Sequence, residues 1–319
     1  MKSTEPNHSP FWVAIDWGST NLRYWVISKA TNQIIETDLK QQGIKLVLGG
    51  NFETVLSQFL STHLSQKEVT QILCCGMIGS KQGWQETKYV RSPCSPQLAK
   101  NLVQAVTKDS RFNVWIIPGI MQEESPDIMR GEETQILGFL SSFPDFEGVI
   151  CLTGTHTKWV KISGGEVIFF ETFMTGEMFD LLSNHSMLKF SICSEKIDIN
   201  VSRSAALEIF TSPHKFSANL FKLRANDLLN GASPAIIRSR LSGYMIGLEI
   251  AGSKKFWLGN EVVLVGNNTV TAIYKAVLQE QGINPKVCLS DELSLNGLKA
   301  TYKKFFNGDE NVLNVFSKN

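Results

Sequence analysis

The residues best suited to chemistry in this chain sit in two short turns. The first reads Asp16-Trp17-Gly18-Ser19-Thr20-Asn21 and joins two apolar runs, residues 11–17 and 22–28. Glycine lets a backbone approach an anion closely, and exposed N–H groups with hydroxyls beside them are donors for phosphate oxygens. Asp16 ends the first run as a lone carboxylate, a group able to hold a hydrated Mg2+ that bridges the same phosphates. The alternative for this segment is an ordinary hairpin turn with the aspartate as an Asx-turn residue. The second turn, Thr153-Gly154-Thr155-His156-Thr157-Lys158, repeats the pattern with three hydroxyls, an imidazole and an ammonium. Lys158 there is either a neutraliser of a transferring phosphoryl group or a solvated strand-edge lysine. His156 is either a ligand or a turn histidine satisfied by its neighbours. A third apolar run, 262–265, stops at Gly266-Asn267-Asn268, where a glycine would let a flat base lie on the backbone.

The elements that must hold these turns follow from hydrophobic period. Residues 11–17, 22–28 and 34–39 read as strands, with a polar turn at 30–33, and make a three-stranded meander. Phe52, Val55, Leu56, Phe59 and Leu60 recur at helical spacing. Residues 71–75 and 114–117 read as strands and 98–106 as a helix between them, so the order is βββαβαβ. A helix is expected over 128–140, with Met129, Ile136, Leu137 and Leu140 on its apolar side and Phe143-Pro144 at its end. A second meander follows at 149–152, 158–162 and 166–173, turning at Gly164 and Gly165. Laying Gly18 over Gly154 matches Ser19 with Thr155 and Val26 with Ile162. A duplicated unit would place equivalent turns face to face, where both grip one ligand. Residues 178–248 form a longer polar and helical stretch, read as an insertion, before strand 262–265, helix 270–278, strand 286–289 and a closing helix over 293–306.

Composition narrows the partners. The 319 residues are 43% apolar and 19% charged, too rich in core-formers for disorder and long enough for about two domains of ~150 residues. Lys plus Arg is 31 and Asp plus Glu is 30, so no global field favours nucleic acid or an anionic membrane, and a small ligand is the expected partner. No apolar run approaches the ~20 residues that a bilayer demands, and residues 1–10 are polar, with no export segment. Six cysteines lack any CxxC spacing, which fits reduced thiols in a cytoplasmic protein.

The two turns and the third strand, in this order on a duplicated frame, resemble the actin, hexokinase and Hsp70 superfamily of ATP-binding folds. Four segments sharpen the resemblance: Gly76-Met77-Ile78-Gly79-Ser80-Lys81-Gln82-Gly83-Trp84, Met129-Arg130-Gly131-Glu132-Glu133-Thr134-Gln135-Ile136-Leu137-Gly138, Gly154-Thr155-His156-Thr157-Lys158-Trp159-Val160 and Thr172-Phe173-Met174-Thr175-Gly176-Glu177. Together they resemble the 2-dehydro-3-deoxygalactonokinase family over roughly residues 11–305. The resemblance implies an α/β chain of duplicated RNase H-like (actin-like ATPase) domains with an interdomain nucleotide cleft. The first domain is expected over 11–140 with the closing helix 292–306, and the second over 148–291 with a helical insertion at about 178–250. The implied activity is transfer of the ATP γ-phosphoryl group to the terminal 6-hydroxyl of 2-dehydro-3-deoxy-D-galactonate in galactonate catabolism, with Mg2+ as cofactor. Another sugar or amino-sugar kinase of the same fold is the alternative. A non-catalytic sugar sensor is a further one, but it predicts a DNA-binding element, and no helix-turn-helix or basic stretch precedes Phe11. Expected partners are the sugar acid and, in a homodimer, a second copy of the chain; nucleic acid and membrane are not among them.

On this resemblance ATP and its phosphates fall to Asp16, Gly18, Ser19, Thr20, Gly154, Thr155, His156, Thr157, Lys158 and Gly266, with Asp16 also the metal ligand. The catalytic base is open among Asp127, Glu132 and Glu133, because the superfamily places an acid near the helix before the second turn. Asp127 is equally an N-cap, and both glutamates lie in a first helical turn where the macrodipole favours carboxylates anyway. Glu132 leads, since the missing side chain of Gly131 would admit a substrate. Arg23 and Arg130 are expected to read the substrate carboxylate and keto group. Asn21, Ser80, Gln82 and Trp84 are expected to contact the polyol or wall the site, with core packing the alternative for Trp84. Glu177 either binds substrate or caps a helix. Residues 1–10 and those from 307 lie outside the resemblance and are expected to be mobile.

Overall fold

The protein is represented by a computed structural model that describes residues 7–266 and 269–306. Along the chain the elements are β1 (Asn7–Trp17), β2 (Leu22–Ser28), β3 (Ile34–Lys40), α1 (Phe52–Phe59), β4 (Glu68–Gly76), β5 (Val90–Arg91), β6 (Val103–Gln104), β7 (Phe112–Ile116), β8 (Ile120–Gln122), β9 (Asp127–Met129) and α2 (Glu132–Leu140). There follow β10 (Gly148–Leu152), β11 (Thr157–Ser163), β12 (Glu166–Phe173), α3 (Thr175–His185), α4 (Ile199–Thr211), α5 (Phe216–Asn230), α6 (Pro234–Gly252), α7 (Lys254–Trp257), β13 (Val262–Val265), α8 (Thr269–Glu280), β14 (Lys286–Cys288) and α9 (Ser290–Phe306). Two compact units result, one from Met1–Asp145 with Asp291–Asn319 and the other from Phe146–Ser290.

The first unit holds a six-stranded sheet in the order β3-β2-β1-β4-β7-β6 and a small sheet β5-β8-β9. Strand β1 runs antiparallel to β2 and parallel to β4, which is parallel to β7. A parallel centre covered on both faces calls for continuous apolar residues, and Val13, Ala14, Ile15, Ile72, Leu73 and Cys74 are all fully buried. Phe52 and Leu56 of α1 pack into this core. On the other face Trp12 stacks on Tyr302 of α9 with centroids 3.9 Å apart, and Trp115 meets Phe305.

The second unit repeats the topology as β12-β11-β10-β13-β14, with β10 antiparallel to β11 and parallel to β13. Its core joins Cys151 and Trp159 of the sheet to Ile246 and Ile250 of α6 and to Ile273, Tyr274 and Val277 of α8. The stretch read as an insertion is helical, running from α3 through α6. The order βββ, helices, β, α, β therefore appears here in full.

Three expectations fail. Residues 98–106 are not a helix: a 3-10 turn at Ala99–Asn101 leads into β6, which pairs antiparallel with β7. Leu98, Leu102 and Ala105 are buried at a spacing that mimics a helix, but the sheet edge claims Val103 and Gln104. The helix expected over 128–140 starts only at Glu132, because Asp127–Met129 pair as β9 and Gly131 takes a left-handed φ of 105° that breaks the run. Residues 7–10 are not a loose tail but extend β1 and pair with β4 at Asn7–Glu68 and His8–Val69. The rest of that tail call, residues 1–6 and 307–319, lies outside the described residues. Among the described residues no helix is long and apolar enough to cross a membrane, and none of the six cysteines forms a disulfide.

Candidate active site

In the first unit the chemistry gathers where β1 ends. Asp16 lies opposite Arg23 on β2 and beside Cys75 on β4. Ser294 of α9 donates its hydroxyl to Asp16 Oδ2 at 2.9 Å, and Gln135 Nε2 of α2 donates to that serine at 3.2 Å. This relay exists because α2 and α9 touch backbone to backbone: a Cβ on Gly297 would fall 1.9 Å from Thr134 O, and one on Gly138 2.0 Å from Leu293 O. Burial raises the Asp16 pKa, and the charge of Glu132 adds to it, against the Ser294 hydrogen bond, the Arg23 guanidinium and the Cys75 thiol. A partly exposed carboxylate whose charge is this poorly compensated suits a cation. Such a single carboxylate would fit one magnesium ion held mainly by phosphates and water; no group of three or more His, Cys, Asp or Glu among the described residues could hold a metal.

Beyond Asp16 the turn is braced by a residue that sequence reading missed. Gly43 donates its N–H to Thr20 O at 2.7 Å, Ile44 to Gly18 O at 3.0 Å and Lys45 to Ser19 O at 3.2 Å. The turn's carbonyls are thereby occupied from one side. The Ser19 and Thr20 N–H groups and hydroxyls have no acceptor or partner among the described residues, which leaves a donor set free for an anion. The approach is so close that a Cβ at Gly43 would lie 2.3 Å from the Ser19 and Thr20 backbone. A Gly43→Ala substitution should therefore displace the turn and weaken ATP binding by tenfold or more, on the order of 1.4 kcal/mol, measured as KM for ATP. An unchanged KM would mean the turn does not meet the nucleotide.

The acids at the start of α2 separate by environment. Gly131 sits against Gly76, its absent Cβ only 3.2 Å from Gly76 Cα, so its small size and positive φ bring the helix start to the end of β4. That close packing, rather than an opening for substrate, is what this glycine provides. Glu132 is partly exposed and takes the Arg130 N–H at 2.9 Å. Glu133 is fully buried, takes the Gly131 N–H at 2.7 Å and the Thr134 hydroxyl at 3.0 Å, and has its pKa pushed up to about 8 by burial and by the charge of Glu132. Asp127 is in neither place: it lies at the turn end of the β8–β9 hairpin, opposite Gln122, and is no N-cap, a position held by Gly131.

The Glu133 environment has a consequence for stability. The native protein keeps a proton that the unfolded chain releases from the ordinary glutamate value of 4.5 upward, so stability falls as pH rises from there to about 8. Glu133→Gln removes this loss. Its stability, read from the melting temperature, should gain on the wild type between pH 5 and pH 9, by on the order of 4 kcal/mol; a constant difference across that range would contradict the assignment.

The residues expected to read substrate are placed less uniformly. Arg23 forms an ion pair with Asp291 at the start of α9. Arg130 is buried, donates through both terminal nitrogens to Thr87 and lies over the Tyr89 ring at 4.3 Å, while its Nε has no partner among the described residues. Ser80 is likewise buried with its hydroxyl unpartnered among the described residues. Asn21 and Gln82 are exposed, and Trp84 is half-buried and stacked on Phe52 at 6.2 Å.

In the second unit the turn after β10 leaves Gly154, Thr155 and His156 exposed, with open space where a Gly154 Cβ would be. Helix α3 backs it: Glu177 N–H donates to Thr155 O at 3.0 Å, and the Glu177 carboxylate meets His156 Nε2 at 2.5 Å. Lys158 is buried and not solvated, its ammonium donating to Thr172 at 3.1 Å. Thr157 is also buried. Gly266 is buried as well, and a Cβ on it would fall 2.1 Å from Thr271 Oγ1 and 2.5 Å from Thr153 Oγ1. Its smallness serves the contact between those threonines, 2.8 Å apart. Asn267 and Asn268 lie outside the described residues.

The sheet order is that of the actin-like ATPase fold, and the family to which the chain belongs makes it a kinase. Component A of the (R)-2-hydroxyglutaryl-CoA dehydratase of Acidaminococcus fermentans shares the fold at a TM-score of 0.50 and 13% identity, covering 92% of this chain and 99% of that one. The 2-keto-3-deoxy-galactonokinase family profile matches residues 16–301, and the chain belongs to that family. The crystal structure of a Sinorhizobium meliloti protein described as a 2-dehydro-3-deoxygalactonokinase has a TM-score of 0.85 and 32% identity, covering 92% of this chain and 99% of its own. A protein of Rhizobium meliloti (strain 1021) named "Probable 2-dehydro-3-deoxygalactonokinase DgoK1" is 33% identical over 298 residues, 91% of this chain and 96% of the relative. The 2-dehydro-3-deoxygalactonokinase of Escherichia coli (strain K12) is 29% identical over 293 residues with the same coverage, 91% and 96%.

Proposed function

We propose that this kinase transfers the γ-phosphoryl group of ATP to the 6-hydroxyl of 2-dehydro-3-deoxy-D-galactonate, in the cytoplasm and as a homodimer. The observation that carries the reading is the poorly compensated Asp16 carboxylate at the end of β1, close enough to feel the charge of Glu132 at the start of α2, in a chain of this family. Asp16 would hold Mg2+, which supplies charge neutralisation on the phosphates. Ser19 and Thr20, and likewise Gly154 and Thr155, are the groups suited to donate to phosphate oxygens. Glu132 is the base of choice: it is partly exposed, whereas Glu133 is sealed in and protonated at neutral pH. Its carboxylate takes the proton of the attacking hydroxyl, the oxygen forms its bond to the γ-phosphorus, and the bond to ADP breaks. The Ser80 hydroxyl and Arg130 Nε, unpartnered among the described residues, support reading that segment as the substrate side.

Phosphorylation assays with 2-dehydro-3-deoxygalactonate, its gluconate epimer and N-acetylglucosamine test the reading. The galactonate derivative should give the highest kcat/KM; preference for the amino sugar would replace the substrate class. Light scattering on the purified chain tests the dimer.

A further inference from the structure

A carboxylate buried in the last turn of a helix needs donors around it, because an uncompensated charge in the interior is heavily penalised. Glu249 of α6 is such a group, 2% exposed in an otherwise apolar stretch. Its Oε1 takes the Trp159 Nε1–H at 2.7 Å, and its Oε2 takes the Tyr274 hydroxyl at 2.5 Å and the Thr175 hydroxyl. The Thr157 hydroxyl is a fourth partner. Only a carboxylate offers acceptors in every direction and no donor, so it alone satisfies this set; a glutamine would turn an N–H2 against one of them. Burial nonetheless lifts its pKa to about 7, against the pull of these donors. The titratable groups facing it, Tyr274 on α8 and Cys151 on β10, are both held protonated.

Every one of these donors belongs to a segment that meets the second phosphate turn. Thr157 is in the turn, and Trp159 follows it in β11. Thr175 opens α3, whose Gly176 lies so close that its Cβ would fall 2.6 Å from Gly154 O, and whose Glu177 N–H holds Thr155 O. Tyr274 is on α8, which also carries the Thr271 hydroxyl to Thr153. We propose that Glu249 is a positioning residue, a single carboxylate that ties β11, α3 and α8 together and so fixes residues 153–158 for phosphoryl transfer. The kinetic half of this rests on the proposed function; the tether does not.

The test compares Thr175→Val, which removes one hydroxyl at nearly constant shape, with Thr175→Ser, which keeps it, and adds Glu249→Gln. Amide hydrogen exchange at residues 153–158 and 175–177 should quicken tenfold or more in Thr175→Val and Glu249→Gln while β10 and β13 stay protected. In the same variants kcat/KM for ATP should fall tenfold or more with KM for the sugar acid unchanged, and Thr175→Ser should behave as wild type in both readouts. Wild-type exchange and kinetics in Thr175→Val overturn the proposal. So does a uniform loss of protection across the second unit with activity tracking the folded fraction, which is the signature of a purely structural glutamate. If Glu249→Gln does not fold, the Thr175 pair decides. A wild-type chain without sugar-acid kinase activity would sink the proposed function alone, and the exchange data would still decide the tether.

Discussion

Asp16→Asn is expected to lower kcat by roughly a thousandfold, about 4 kcal/mol of barrier, while leaving the fold intact. The amide keeps the size of the carboxylate and can still accept the Ser294 hydroxyl, so the β1–α9 contact survives. What disappears is a charge that the protein shelters poorly. Because burial and the Glu132 charge make that anion unfavourable in the free protein, the variant should melt no lower than wild type at neutral pH, and higher if anything. Loss of activity together with undiminished stability distinguishes a functional carboxylate from a structural one. A kcat within tenfold of wild type, from steady-state kinetics on the folded variant, would remove Asp16 from the chemistry.

The second large effect concerns the base. Glu132→Gln should cost between about a hundredfold and ten-thousandfold in kcat, the usual range for losing a positioned general base, with a modest change in KM. Glu133→Gln should stay within tenfold, since a fully buried side chain cannot touch the attacking hydroxyl. Asp127→Asn should match wild type: in a strand rising about 3.3 Å per residue, it lies several residues away along β9 from the start of α2. Equal losses in all three would mean that none accepts the proton.

The sequence carried the two turns because their chemistry is local: glycine, hydroxyls and a terminal carboxylate stand side by side at Asp16 to Thr20 and again at Thr153 to Lys158. The meanders were legible for a similar reason, short apolar runs bounded by short polar turns. The segment at 98–106 was misread because three buried residues at a spacing of three to four fit a helix and an irregular sheet edge equally well, and only the pairing with β7 decides. Support residues were harder. Ser294 reaches Asp16 across a separation of 278 residues, and nothing in its neighbourhood marks it. Glu249 did leave a signal, an acid inside the apolar run Ile246-Gly247-Leu248-Glu249-Ile250, which should prompt a search for buried donors. Gly43 left only its type.

The first unit is built from both ends of the chain, and its last helix brings the hydroxyl that orients Asp16 and the rings that cover Trp12 and Trp115. During translation the second unit leaves the ribosome complete, whereas the first waits for its final piece. Until then the nascent polypeptide holds the Asp16 carboxylate unanchored and two tryptophan faces bare. A product released early offers sticky aromatic surface of the kind that quality-control proteases can recognise.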